Sequence, residues 1–136
     1  MTLAESTGNR AWRALETPLL RFLGASLSDD GAELRGLSIE VTGNALNAVG
    51  ALHGGAIATL LDVAAYLAVI PDLAANEEAV THAFAASYLA AARQGEHLRA
   101  TGTLLRRTRR TAFLTAELRS ETTLLATANV TKSIRA

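Results

Sequence analysis

Across residues 56–70 the chain places apolar side chains at every angle around a helix. Ile57, Leu60, Leu61, Val63, Leu67 and Val69 leave no polar face. A helix apolar all round is buried all round, so whatever this chain folds into must surround it. His53-Gly54-Gly55 opens the run and Pro71-Asp72 closes it. The run is shorter than the ~20 residues of a membrane span and holds Asp62 in its middle, so the expectation is a core helix and no membrane partner.

The material to surround it follows directly. Four segments alternate with period two and show no helical period. Val80, His82, Phe84, Ala86 and Tyr88 share one face of the first; Leu98, Ala100, Gly102 and Leu104 do so in the next. Ala112, Leu114, Ala116 and Leu118 follow, then Leu124, Ala126, Ala128 and Val130, with polar connections at 93–96, 106–110 and 120–122. That is an antiparallel meander. Ahead of the central helix, residues 33–41 alternate through Leu37, Ile39 and Val41, as a strand hairpin-paired with 25–28 through Asp29-Asp30-Gly31. Residues 9–23 read as an interrupted helix, restarted by Thr17-Pro18 and stopped by Gly24, with Trp12, Leu15, Leu19, Phe22 and Leu23 packing onto the body. The expected fold is α+β, one antiparallel sheet wrapped around one long helix. The whole chain, 1–136, reads as a single domain with 1–24 as an N-terminal helical segment.

Thirteen basic residues balance thirteen acidic ones, which argues against a nucleic-acid or membrane-surface binder. It also leaves little charge repulsion against self-association. Twelve of the basic residues are Arg and one is Lys. The chain has no Cys, which removes disulfides, Cys-based zinc sites and a cysteine nucleophile. His82 has no second ligand at metal spacing, so no metal or cofactor is expected. The first ten residues hold no apolar signal region, and a cytoplasmic protein is the expectation.

Gly54 and Gly55 stand where unpaired backbone N–H groups and the positive end of the helix dipole point outward. Such an end polarises a carbonyl, and glycine lets a ligand come close; the plainer alternative is a Gly-Gly turn that only starts a helix. Asp62 is a carboxylate on an apolar helix, where burial strips its solvation. It is a candidate acid–base group, or else a buried Asp satisfied by a backbone or hydroxyl donor. His53 and Asp62 are nine positions apart, roughly 13.5 Å along a helix and on opposite sides of it. One subunit cannot bring both to one reacting carbon, so a site that uses both lies between two copies.

The stretch from Thr17-Pro18-Leu19-Leu20 through Gly24, Asn47, Gly50, His53-Gly54-Gly55 and Asp62, continuing through Ser87-Tyr88-Leu89, Gly95 and Ala100, resembles a known family. It is similar to the hotdog-fold acyl-CoA thioesterases of the phenylacetate-degradation (PaaI) and 4-hydroxybenzoyl-CoA thioesterase type. The resemblance implies hydrolysis of an acyl-CoA thioester. Asp62 is then the nucleophile or the general base for water, and the Gly54 N–H polarises the thioester carbonyl with Gly55 beside it at the substrate. Asn47 and His53 orient substrate, water and loop, and Thr81 supplies a hydroxyl near the carboxylate. It also implies homodimers with shared sites that pair again into tetramers. Two positions depart from the family pattern. His82 and Ala83 follow Thr81 where an acidic residue is common, and Leu89-Ala90-Ala91-Ala92-Arg93 replaces a common Arg-Pro pair. Both lie near the expected acyl or CoA entrance and bear on substrate identity.

Arg107, Arg109 and Arg110, on the 106–110 turn, are candidates for the CoA phosphates along with Arg93; the alternative is a solvated hairpin tip. Two other activities compete with a thioesterase. A hotdog hydratase or dehydratase pairs a His with an acid differently from His53-Gly54-Gly55 and a later Asp62. A non-catalytic acyl-CoA sensor that controls transcription carries an added DNA-binding module, for which residues 1–24 are too short.

Overall fold

The computed structural model describes residues 3–28 and 36–136. In chain order the elements are α1 (Leu3–Leu15), α2 (Pro18–Leu23), β1 (Ser26–Leu27), β2 (Gly36–Glu40), α3 (Gly54–Val69), β3 (Glu78–Tyr88), β4 (His97–Arg107), β5 (Thr111–Arg119) and β6 (Leu124–Arg135). The six strands form one antiparallel sheet in the order β1-β2-β4-β5-β6-β3. The sheet wraps α3, as the alternating segments led one to expect. The expected 29–31 turn lies outside the described residues, but β1 and β2 pair antiparallel with Leu27 opposite Leu37.

Enclosure of α3 is tightest over β4. A Cβ at Gly102 would lie 2.3 Å from the backbone oxygen of Ala64 and 3.0 Å from the Ala68 Cβ, so the helix rests directly on strand backbone there. Leu60, Leu61, Ala64, Ala65, Leu67 and Val69 are buried against Leu98, Ala100, Leu114, Leu118 and Val130. By length and mean hydropathy alone, Gly54–Asp72 would pass for a membrane span; here its apolar side chains are the core of the wrapped sheet.

The enclosure is incomplete, which corrects the expectation of a helix buried all round. Thr59, Asp62, Val63 and Tyr66 remain half-buried, and their spacing puts them on one stripe. Six strands cover only part of the circumference, and the stripe borders β3, the edge strand of the sheet.

β3 holds a second correction. Its register against β6 slips between Thr81 and Ala83, a β-bulge with His82 as the extra residue. Ala79 and Thr81 before it, and Phe84, Ala86 and Tyr88 after it, pair with the inward residues Ile134, Lys132, Val130, Ala128 and Ala126. His82 therefore leaves the face predicted for it, and its Nδ1 meets the Ser133 hydroxyl at 2.5 Å. Strict alternation fails here because one inserted residue inverts every side chain behind it.

At the N-terminal end, Pro18 starts α2 and Gly24 ends it at φ 73°. The Thr17 hydroxyl does not cap α2; it donates to the Ala14 carbonyl at 3.3 Å. Ala11, Leu15, Leu20 and Leu23 are the residues that pack inward, whereas Trp12, Leu19 and Phe22 are exposed, contrary to the predicted packing face. Arg10 holds this segment in place. Its buried guanidinium donates to the carbonyls of Ala74, Ala75 and Glu77 at 2.8, 3.2 and 2.8 Å, so α1 clamps the linker between α3 and β3.

Gly102→Ala is expected to destabilise the fold by about 1–3 kcal/mol, the usual cost of overpacking a filled core. Equilibrium denaturation checks this, and an unchanged midpoint would mean that α3 can back away from β4.

Candidate active site

β3 passes antiparallel along the open side of α3, and three side-chain contacts mark its course. The Tyr66 hydroxyl donates to Glu78 Oε1 at 2.8 Å, the Thr81 hydroxyl donates to Asp62 Oδ1 at 2.6 Å, and the Tyr88 hydroxyl donates to the Gly54 carbonyl at 3.0 Å. The middle and last contacts divide the site residues into two groups, one at the middle of the helix and one at its start.

The first group surrounds Asp62. Its side chain is 42% exposed, so it sits at the surface of the uncovered stripe rather than in the desolvated interior expected from the sequence. Behind it stands Lys132, whose side chain is 3% exposed. Lys132 Nζ donates to Thr81 Oγ1 at 2.6 Å, lies 3.5 Å from Asp62 Oδ1 and sits 5.6 Å from the centre of the Tyr66 ring. Burial holds Lys132 below the usual lysine range, while the Asp62 carboxylate pulls the other way. Burial also pushes the Tyr66 phenol up to about 12, reinforced by the Glu78 carboxylate that accepts its hydrogen bond.

The second group is the start of α3. His53 caps the helix, its Nδ1 accepting the Gly55 N–H at 2.8 Å. A neutral ring in that role carries its proton on Nε2. The Gly54 N–H comes too early for an intrahelical acceptor and has no partner among the described residues. Asn47 ties the preceding loop, its Oδ1 accepting the N–H groups of Val49 and Ala51, each at 3.0 Å. Asn47, Gly54, Ile57, Tyr88 and Leu89 line a cleft of about 420 Å³. Arg93 lies alongside, bridged through its backbone to Ala51.

The structure thus brings Asp62 to Thr81 and gathers Asn47, His53, Gly54 and Gly55 at the start of α3, with Arg93 reaching that group only through its backbone bridge to Ala51, but leaves the groups eight helical residues apart between Gly54 and Asp62, roughly 12 Å. The arginines also separate. Arg107 is engaged, its guanidinium bonding Glu77 Oε2 at 2.6 Å and the Asp72 carbonyl, which fastens the end of β4 to the α3–β3 linker. Arg109 and Arg110 are exposed on the turn. Sequence reasoning missed Lys132, Tyr66 and the Tyr88 contact. Lys132 was legible in the alternation of β6, because Ala126, Ala128 and Val130 extend by two to Lys132 and by four to Ile134.

The sequence model of the thioesterase superfamily matches residues 49–127, more than half of the chain. The chain belongs to the thioesterase superfamily. The helix-wrapping sheet is accordingly the hotdog fold of that family. A candidate thioesterase and phenylacetic acid degradation-related protein of Ralstonia eutropha is 26% identical over 94% of this chain and 98% of its own, with a TM-score of 0.79. The PaaI protein of the E. coli phenylacetic acid degradation operon is 20% identical, with a TM-score of 0.83 over 99% of this chain and 97% of its own. A Streptococcus mutans protein solved with acetyl-CoA bound is 24% identical, with a TM-score of 0.67 over 74% of this chain and 80% of its own. No curated protein matches the sequence.

The Arg107–Glu77 pair carries a pH signature. Arg107 first, then the Ala74 amide, holds the Glu77 carboxyl below its ordinary 4.5. A carboxylate so lowered stabilises the fold above its unfolded pKa and loses that contribution as pH falls through the folded one. Arg107→Ala is expected to be less stable than the parent at neutral pH, with the gap narrowing below pH 4.5. Thermal melts across pH check this; a gap that persists unchanged in acid would assign Arg107 to packing alone.

Proposed function

We propose that the protein is an acyl-CoA thioesterase, converting an acyl-CoA ester and water into the free acid and coenzyme A. The carrying observation is the Thr81 to Asp62 hydrogen bond on the uncovered stripe of α3, with a Gly54 amide at the start of that helix that has no partner among the described residues. Membership of the thioesterase superfamily supports the reaction class, and the acetyl-CoA of the Streptococcus mutans protein supports the ligand class. On this reading residues 1–136 form one thioesterase domain, with 1–24 as its helical N-terminal segment, working in the cytoplasm.

The chemistry follows from the two groups. The Gly54 N–H, at the positive end of α3, polarises the thioester carbonyl and stabilises the oxyanion that forms there. His53 and Asn47 hold the geometry of that helix end. Asp62 attacks the carbonyl carbon, or takes a proton from a water that does. Either way the C–S bond breaks and coenzyme A leaves as the thiolate; where Asp62 attacks, the acyl group stays on it as a mixed anhydride, which water hydrolyses to the free acid and the regenerated carboxylate. Thr81 occupies Oδ1 of the carboxylate, which leaves Oδ2 for the reaction. Arg93, Arg109 and Arg110 are the cations proposed for the CoA phosphates, since Arg107 is already paired.

A reacting thioester needs both groups within roughly 3–3.5 Å of its atoms, so one chain is insufficient. Two copies related by a two-fold, with α3 helices antiparallel, bring Gly54 of each near Asp62 of the other. The exposed edge strand β3 favours such pairing. Eleven residues long, with Phe84 and Tyr88 exposed, it presents an unpaired backbone edge that invites another strand. Dimers paired again into tetramers complete the proposed assembly.

Steady-state assays with free-thiol detection over aromatic and straight-chain acyl-CoAs test the activity. Asp62→Asn is expected to lower turnover by roughly two orders of magnitude or more, and near-parental turnover would remove Asp62 from the chemistry. In the same assay, neutralising Arg109 and Arg110 is expected to raise KM and spare kcat; an unchanged KM returns both to solvent.

The shared site has its own test. Asp62→Ala and Gly54→Pro are each expected to be inactive alone. After subunit exchange a heterodimer contains one intact site, so activity should return. Folded heterodimers without activity would sink the two-copy site.

A further inference from the structure

We propose that Lys132 is a positioning residue of the Asp62 site, an interior ammonium that sets the direction of the Thr81 hydroxyl and, through it and directly, the orientation of the Asp62 carboxylate. This deepens the thioesterase reading and rests on Asp62 being the reacting carboxylate.

The hydrogen-bond directions leave little freedom. Lys132 Nζ is donor only, so at 2.6 Å from Thr81 Oγ1 it takes one of the hydroxyl's lone pairs. The hydroxyl proton is then committed to the other close partner, Asp62 Oδ1, also at 2.6 Å. The ammonium lies 3.5 Å from that same oxygen. Both contacts fall on Oδ1, and Oδ2 has no partner among the described residues. A carboxylate that is 42% exposed is thereby held by a cation that is 3% exposed. The cation stands behind the carboxylate, and the exposed front stays open for substrate.

The surroundings fit that role. α3 contributes Asp62 and the face of Tyr66, β3 contributes Thr81 and Glu78, and β5 presents the neutral Ala112 opposite Lys132. Arg10 and Arg13 of α1 stand beyond the Tyr66–Glu78 pair. Among these groups Asp62 is the anion that dominates at Lys132, and Glu78 is weaker and already bonded to Tyr66. Residue type adds an independent observation. The chain uses Arg twelve times and Lys once, and the one lysine stands here. An ammonium is a compact point charge, whereas a guanidinium needs room for a planar fork of five donors. A pocket bounded by one hydroxyl, one carboxylate oxygen and a ring face takes the former.

The experiment has an activity arm and a spectroscopic arm. Lys132→Met keeps the length and removes the charge. With folding verified by circular dichroism, its kcat should fall roughly 10- to 100-fold, the scale seen when an outer-shell partner of a site residue is lost, while KM changes little. Lys132→Ala should be partly rescued by methylamine and not by tetramethylammonium, which has no N–H to donate. A merely structural lysine predicts a lower melting temperature with kcat unchanged, and that result overturns the proposal. The spectroscopic arm needs no substrate. As the sole lysine, Lys132 gives one side-chain resonance, and its NMR titration midpoint should fall in Asp62→Asn because the carboxylate that keeps it charged is gone. An unmoved midpoint means that the two groups do not interact, which also overturns the proposal. If the parent protein hydrolyses no acyl-CoA, the thioesterase reading fails, and the midpoint still decides whether Lys132 governs Asp62.

Discussion

Burial of α3 is the constraint on which everything else rests. Its apolar side chains need cover on all sides, and a sheet alone cannot close around a helix with six strands. Contact over β4 is at backbone level, because Gly102 admits the Ala64 carbonyl where any Cβ would collide. From that point the sheet curves outward to its two edges. The wrap stops short at β3, and the uncovered remainder is the Thr59–Asp62–Val63–Tyr66 stripe. The position of the candidate site is thus a consequence of where the enclosure ends.

What keeps that border in register is a set of polar tethers on the α3–β3 linker. Arg10 of α1 binds three linker carbonyls, and Arg107 at the end of β4 binds Glu77 and the Asp72 carbonyl. Both arginines place a cation on backbone oxygens of the linker, adding donors where buried carbonyls without a partner would be costly. With the linker held, β3 leaves it at a set angle and meets α3 at Glu78, Thr81 and Tyr88. The bulge at His82 then turns Phe84 and Tyr88 inward again after Thr81. Without it, Thr81 and Tyr88 would stand on opposite faces of the strand, and one of the two contacts to α3 would be lost.

The separation of the Gly54 and Asp62 groups is built into the helix rise. Both lie on one rigid element, so no loop motion brings them together within a chain. The same stripe that exposes Asp62 runs beside an unpaired strand edge, so covering one by a second copy covers the other. Lys132 sits on the inner side of this border, which lets a cation act on an exposed carboxylate without itself meeting water.

Much of this was legible from residue order. The all-round apolar run required enclosure, period-two alternation supplied strands to do it, and the Asn47 to Asp62 motif marked the start of the helix and the carboxylate at its middle. These signals are local: a helix face, a strand face and a cap each depend on neighbours a few positions away. Other features are not local in that sense. Strict alternation predicted His82 on the inner face because a bulge leaves no mark in composition; it is decided by pairing with β6. Trp12, Leu19 and Phe22 were expected inside, yet where a short helix lands depends on Arg10 finding linker carbonyls more than sixty residues away. Arg107 read as one of a basic cluster until Glu77 came to meet it. The Lys132–Thr81–Asp62 contact joins three elements, with partners 19 and 51 residues apart, and only the closing of the sheet over α3 puts them in one place. The sequence alone determined which helix must be buried and what chemistry its start and its one carboxylate could carry. The tertiary structure decided which side of that helix stays open and which charges face it, because both depend on how far six strands reach around a cylinder.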